Sequence, residues 1–133
     1  MASLFTRIIQ GEIPCYKLGE NEQCFSFLDI KPLAKGHALV IPKLEVDYIF
    51  DAPDELLQEM MLFSKRMAIA IRKIVPCTKI GMSVIGLEVP HAHIHLVPLN
   101  QLSDLNFSNP RKEFSAEEYQ DLASKISAAF ASA

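Results

Sequence analysis

Apolar residues recur at two different periods along this chain, and the periods divide it into short strands and a few helices. Leu4-Phe5-Thr6-Arg7-Ile8-Ile9 is apolar at i, i+1, i+4 and i+5, which predicts a helix of one or two turns, capped by Ser3 and stopped at Gly11. Cys15-Tyr16-Lys17-Leu18 and Cys24-Phe25-Ser26-Phe27-Leu28-Asp29 read as strands joined by a turn at Gly19-Glu20-Asn21-Glu22, giving a hairpin. Alternation in the second of them puts Phe25, Phe27 and Asp29 on one face. A third strand, His37-Ala38-Leu39-Val40-Ile41, is ended by Pro42, and Ile80-Gly81-Met82-Ser83-Val84-Ile85 makes a fourth.

Helical spacing dominates two longer stretches. From Pro53 to Val75, residues Leu56, Leu57, Met60, Met61, Ser64, Met67, Ala68, Ile71, Ile74 and Val75 follow a 3.6 period. Phe63, Ile69 and Ala70 widen the apolar arc beyond one stripe, so this helix is expected to be covered on a second side. Either another subunit or a loop of the same chain would serve. Near the end, Ser115 and Glu118 form a capping box before a face of Tyr119, Leu122, Ala123, Ile126, Ala129 and Phe130. The polar stretch between Pro98 and Ser115 carries no such period.

The most distinctive pattern is His91-Ala92-His93-Ile94-His95-Leu96-Val97. It alternates with period two, which predicts a strand running from Pro90 to Pro98 with its imidazoles on one face and Ala92, Ile94 and Leu96 on the other. The short connection Gly86-Leu87-Glu88-Val89-Pro90 makes this strand an antiparallel neighbour of the fourth, and its N–H groups are placed to meet phosphate oxygens beside the imidazoles. Three chemistries fit the row: a solvated polar face, a metal site, or a catalytic row that handles an anion. The outer pair would lie roughly 13 Å apart on a strand, too far for one ion to hold all three rings. The catalytic reading is favoured. His37, at the start of the third strand, joins it if the two strands are neighbours.

Composition narrows the function classes. The chain has 133 residues, half of them apolar, and a formal net charge of −3, so it lacks the basic footprint of a general nucleic-acid binder. An anionic substrate would be held by local donors. No apolar run reaches membrane-spanning length, and the start of the chain lacks a signal-peptide core. Cys15, Cys24 and Cys77 are odd in number and widely spaced, which reads as free thiols in a reducing cytoplasm.

The histidine row resembles the signature of the histidine-triad superfamily, in which three histidines alternate with apolar residues. Leu4-Phe5-Thr6-Arg7-Ile8-Ile9, Glu12-Ile13-Pro14, Phe27-Leu28-Asp29-Ile30-Lys31-Pro32 and Gly36-His37-Ala38-Leu39-Val40-Ile41-Pro42-Lys43 resemble the family's other landmarks in order and spacing. The resemblance covers roughly residues 3 to 98, and the last helix is similar to that of bacterial members. It implies one α+β domain over residues 1–133: an antiparallel sheet of about five strands, one long central helix and a C-terminal helix, assembled as a homodimer. It also implies hydrolysis at the α-phosphorus of a purine nucleoside 5′-phosphoramidate through a nucleotidyl-histidine. Alternatives are dinucleoside polyphosphate hydrolysis and non-catalytic nucleotide binding.

By matched position the resemblance makes His93 the nucleophile, supported by His91, His95 and His37. Asp29 would meet the ribose hydroxyls, and Leu4, Phe5, Ile8, Phe27, Ile30 and Val89 would bind the nucleotide. No carboxylate cluster reads as a magnesium site, so neither metal nor cofactor is expected. The chain departs from the pattern before the triad, where a longer loop is missing and Leu87 and Glu88 stand in place of the usual Gln and, in one branch, Ser. Some relatives hold structural zinc with an N-terminal Cys pair and an extra His; Ser3, Thr6 and Leu44-Glu45 replace those groups here.

Overall fold

The computed structural model describes residues 2–132. In chain order the elements are α1 (Leu4–Ile9), β1 (Lys17–Glu20), β2 (Cys24–Leu28), β3 (Ala38–Pro42), α2 (Asp54–Ile74), β4 (Lys79–Ser83), β5 (Ile94–Leu99) and α3 (Ala116–Ala131), with 3-10 turns at Ile49–Asp51 and Leu102–Asp104. The fold is α+β, and the five strands pair antiparallel in the order β1-β2-β3-β5-β4. β5 thus returns from the far end of α2 to sit between β3 and β4, which brings the triad beside His37.

Both faces of the central strands are covered, so β2, β3 and most of β5 are buried throughout. One face, with Leu28, Ala38, Val40, Ile94 and Leu96, packs under α2 and α3 in the main core. Leu56, Met60, Phe63, Met67 and Ile71 form the inward stripe of α2, and truncating any one of them is expected to cost about 2–5 kcal/mol. The other face carries a smaller cluster of Phe25, Phe27, Leu39 and Ile41, roofed by Phe5 and Ile8 of α1. His95 is the register partner of Leu39 and therefore points to this second face.

Several element boundaries differ from those predicted. β1 begins two residues later than the pattern indicates and contains Gly19 instead of ending before it. The ring of Phe130 explains this: a Cβ at Gly19 would lie 2.5 Å from its Cδ2. β4 ends at Ser83, and Val84 and Ile85 are exposed beyond it. The histidine strand is the main correction. β5 starts at Ile94 and runs through Pro98, so His91, Ala92 and His93 precede it. Ala92 N–H is used by the Val46 carbonyl, 2.7 Å away, outside the sheet. Pro98 is tolerated because β3 begins opposite Leu96, leaving β5 with one neighbour beyond that point.

The helices follow their caps. Ser3 caps α1 through the Thr6 N–H, and Gly11 follows with φ +81°. Pro53 is the N-cap of α2, and Ser115 and Glu118 close the capping box of α3. Among the described residues, no helix is long and apolar enough to cross a membrane.

Candidate active site

Alternation keeps all three triad rings on the α1 side, but they are buried there instead of lining an open cleft: His91 is 0%, His93 7% and His95 8% exposed. Phe5 of α1 covers them, its ring edge-on to His91 and His93 at 5.8 and 5.0 Å. Each imidazole is then held by a partner that fixes its proton.

His93 Nδ1 lies 2.8 Å from the His91 carbonyl. A carbonyl only accepts, so Nδ1 carries a proton, and in the neutral ring the lone pair is then on Nε2. His91 is the reverse in geometry. Its Nε2–H donates to the Pro42 carbonyl at 2.8 Å, and its Nδ1 faces the Ser3 hydroxyl at 2.7 Å. Desolvation lowers the His91 pKa below the usual imidazole range.

A second chain of bonds sets His95. Leu33 N–H donates to His37 Nδ1 at 2.9 Å, which leaves the proton of neutral His37 on Nε2. That Nε2–H faces His95 Nδ1 at 3.0 Å, so neutral His95 carries its own proton on Nε2. Burial, with help from neighbouring charges, pushes His37 down to about 3 and His95 to about 4. A lone-pair nitrogen on His93 therefore stands next to a donor nitrogen on His95, with ring centroids 4.9 Å apart. That pair can attack an electrophilic centre and donate to the oxygens around it.

Asp29 follows β2 and turns toward the same histidines. Its Oδ1 accepts the Lys31 N–H at 2.8 Å, and its Oδ2 is 3.5 Å from His37 Nε2. Burial raises the Asp29 pKa, opposed by the Lys31 N–H. Asp29, His37 and His95 each offer a ligand atom within 4.8 Å of the others, a set that could hold a metal ion. The remaining predicted residues divide: Phe5, Ile8 and Phe27 share the small cluster and Val89 packs against it, whereas Leu4 and Ile30 stand exposed at 45% and 69%.

The segment after β5 contributes residues that the pattern did not single out. Phe107 lies edge-on to His95 at 4.8 Å, and Arg111 stacks over Phe107 and donates to the Lys31 carbonyl at 2.7 Å. Neither belongs to a periodic stretch, and a Phe among polar residues was the only cue. Tyr119, on the apolar face of α3, also donates to the Asp29 carbonyl at 3.0 Å. Glu88 is exposed.

The sequence profile of the HIT domain matches residues 10–102. The chain belongs to the HIT family. It is 41% identical over 98 residues to adenosine 5′-monophosphoramidase HNT1 of Saccharomyces cerevisiae, a match covering 73% of this chain and 62% of the yeast protein. It is 33% identical over 129 residues to adenosine 5′-monophosphoramidase hnt1 of Schizosaccharomyces pombe, covering 96% of this chain and 97% of that one. Among HIT structures, a zinc-bound histidine triad family protein from Mycobacterium smegmatis superposes with a TM-score of 0.85 at 28% identity, covering 99% of this chain and 95% of the other.

Proposed function

We propose that this HIT-type hydrolase cleaves purine nucleoside 5′-phosphoramidates at the α-phosphorus, with His93 as the nucleophile. The observation that carries this reading is the 2.8 Å bond from His93 Nδ1–H to the His91 carbonyl, which leaves Nε2 as the nucleophilic nitrogen beside the His95 donor. Two phosphoramidases among its HIT relatives support the substrate class.

In the first step His93 Nε2 bonds to phosphorus, the bond from phosphorus to the leaving nitrogen breaks, and that nitrogen takes a proton from water. The nucleotidyl-histidine keeps its Nδ1–H on the His91 carbonyl. Water then attacks phosphorus and gives its proton to the hydroxide left by the first step, the bond to Nε2 breaks, and the nucleoside monophosphate leaves. His95 Nε2–H donates to the phosphoryl oxygens as charge shifts onto them. His91 and His37 hold their neighbours in place. Asp29 accepts from the ribose hydroxyls, and Phe5, Ile8, Phe27 and Val89, extended by Leu4 and Ile30, flank the base. No step requires a metal or other cofactor.

Arg111 favours a second reading, dinucleoside polyphosphate hydrolysis, because its guanidinium supplies a cation on the rim of the histidine cluster. Incubation with adenosine 5′-phosphoramidate in EDTA tests the first reading. AMP release that disappears in His93→Ala supports it; no release, or full activity in that variant, overturns it. The ratio of specificity constants for the two substrate types separates the readings.

We also infer a homodimer. Met61, Leu62 and Ile69 of α2 and Met82, Val84 and Ile85 at the β4 edge are exposed. An apolar groove of about 500 Å³ runs between these elements. A patch of this kind marks an association surface. Sedimentation should give a dimer that Met61→Glu splits. The cytoplasm is the proposed location, since Cys15, Cys24 and Cys77 are all free thiols.

A further inference from the structure

Ser3 serves two elements at once. Its Oγ accepts the Thr6 N–H at 3.1 Å, as the N-cap of α1, and lies 2.7 Å from His91 Nδ1. The other nitrogen of His91 donates to the Pro42 carbonyl, so a neutral His91 has only a lone pair to offer Ser3. The hydroxyl must therefore donate. Glu45 completes the arrangement from the segment after β3: its Oε1 accepts the Ser3 N–H at 2.5 Å and the Thr6 hydroxyl at 2.7 Å. Ser3 is 7% and His91 0% exposed, so water is a poor substitute for this donor.

We propose that Ser3 is a positioning residue for the reaction: its hydroxyl proton holds His91 neutral and in register, and so fixes the carbonyl that orients His93. This inference rests on the function proposed above. The charged and titratable groups around His91 are Glu45 and His93. Glu45 favours a proton on His91, and the nitrogen that would take it is met by the Ser3 hydroxyl at 2.7 Å, with the Thr6 hydroxyl farther off at 3.4 Å and donating to Glu45. Phe5, two residues along the same helix, touches both His91 and His93, so the cap also ties the proposed base wall to the nucleophile.

The experiment exploits caps of similar quality and opposite hydrogen-bonding sense. Ser, Thr, Asp and Gly all serve as N-caps, but Asp at pH 7 only accepts and Gly does neither. We would record ¹⁵N shifts of His91 near pH 7, thermal midpoints, and kcat and KM for adenosine 5′-phosphoramidate. Ser3→Thr should match the parent in all of these. Ser3→Asp should keep the midpoint, show His91 doubly protonated, and lose about 10- to 100-fold in kcat with a smaller change in KM. Ser3→Gly should keep the midpoint within a few degrees and lose kcat to a similar degree. A neutral His91 or an undiminished kcat in Ser3→Asp overturns the proposal, as does a kcat loss in Ser3→Thr equal to that in Ser3→Asp. Should the parent release no AMP, the proposed function falls, yet the His91 shifts in Ser3→Asp still decide what the Ser3 proton does.

Discussion

His37 Nε2 stands 3.0 Å from His95 Nδ1, and the Leu33 N–H behind His37 decides which of the two carries the proton between them. The donor reaching the proposed phosphoryl oxygens is thus set two residues back, by a backbone amide. His37→Ala removes the relay, frees His95 to take the wrong tautomer and strands the buried Leu33 N–H. The stranded amide alone should cost about 1–3 kcal/mol, and kcat/KM should fall about 10- to 100-fold. Urea unfolding and initial rates check the two effects separately.

Buried imidazoles also make a stability prediction. His37 and His95 titrate near 6.5 when unfolded and at about 3 and about 4 when folded. Between those values the unfolded chain binds more protons, so stability is fully present above about pH 6.5 and is lost as pH falls toward 4. His91 moves in the same direction. Asp29, whose pKa is raised, acts in the opposite sense at lower pH, and Arg111 adds to the lowering of both imidazoles. The net loss should be on the order of a few kcal/mol. Urea midpoints from pH 8 to 4 test it, and His95→Asn should flatten the profile.

The two faces of the sheet were legible because alternation is a local property: Phe25, Phe27 and the triad rings do share a face. The caps of α1 and α3 were legible for the same reason. The place where the histidine strand begins was not, since it depends on Val46, far away in sequence, capturing the Ala92 N–H. Gly19 read as a turn because the ring of Phe130 that needs its bare backbone comes from α3. Phe107 and Arg111 were beyond reach because nothing periodic marks a loop that folds back over a site.

Asp29, His37 and His95 bring three ligand atoms within 4.8 Å, yet the proposed chemistry uses the same atoms as a hydrogen-bond relay. Zinc bound there would displace the proton between His37 and His95 and withdraw Asp29 from the ribose. Added zinc should therefore inhibit AMP release competitively with nucleotide, and lose its effect as pH falls toward 4, where protons compete for the imidazole nitrogens. EDTA should restore the rate, and EDTA alone should change nothing. Asp29→Asn should weaken the inhibition. Rates in zinc series at two pH values provide the check.

Gly19 and Phe130 offer a test of how α3 is held. A Cβ at Gly19 would meet Phe130 Cδ2 at 2.5 Å and Cε2 at 2.7 Å. That ring also packs on Phe63 at 5.1 Å and lies under Arg66 at 4.9 Å, so it cannot retreat freely. Gly19→Ala should cost about 1–3 kcal/mol as an overpacking change. It is half-buried on the edge strand and faces Phe130 and Met67 on the side of the sheet opposite the triad, so kcat at 25 °C should be unaffected. Phe130→Leu removes the obstructing ring edge at its own packing cost. In the double variant Gly19→Ala should cost much less than in the parent, a coupling of about 0.5–3 kcal/mol. If the two costs simply add, the ring is not what excludes a side chain at position 19.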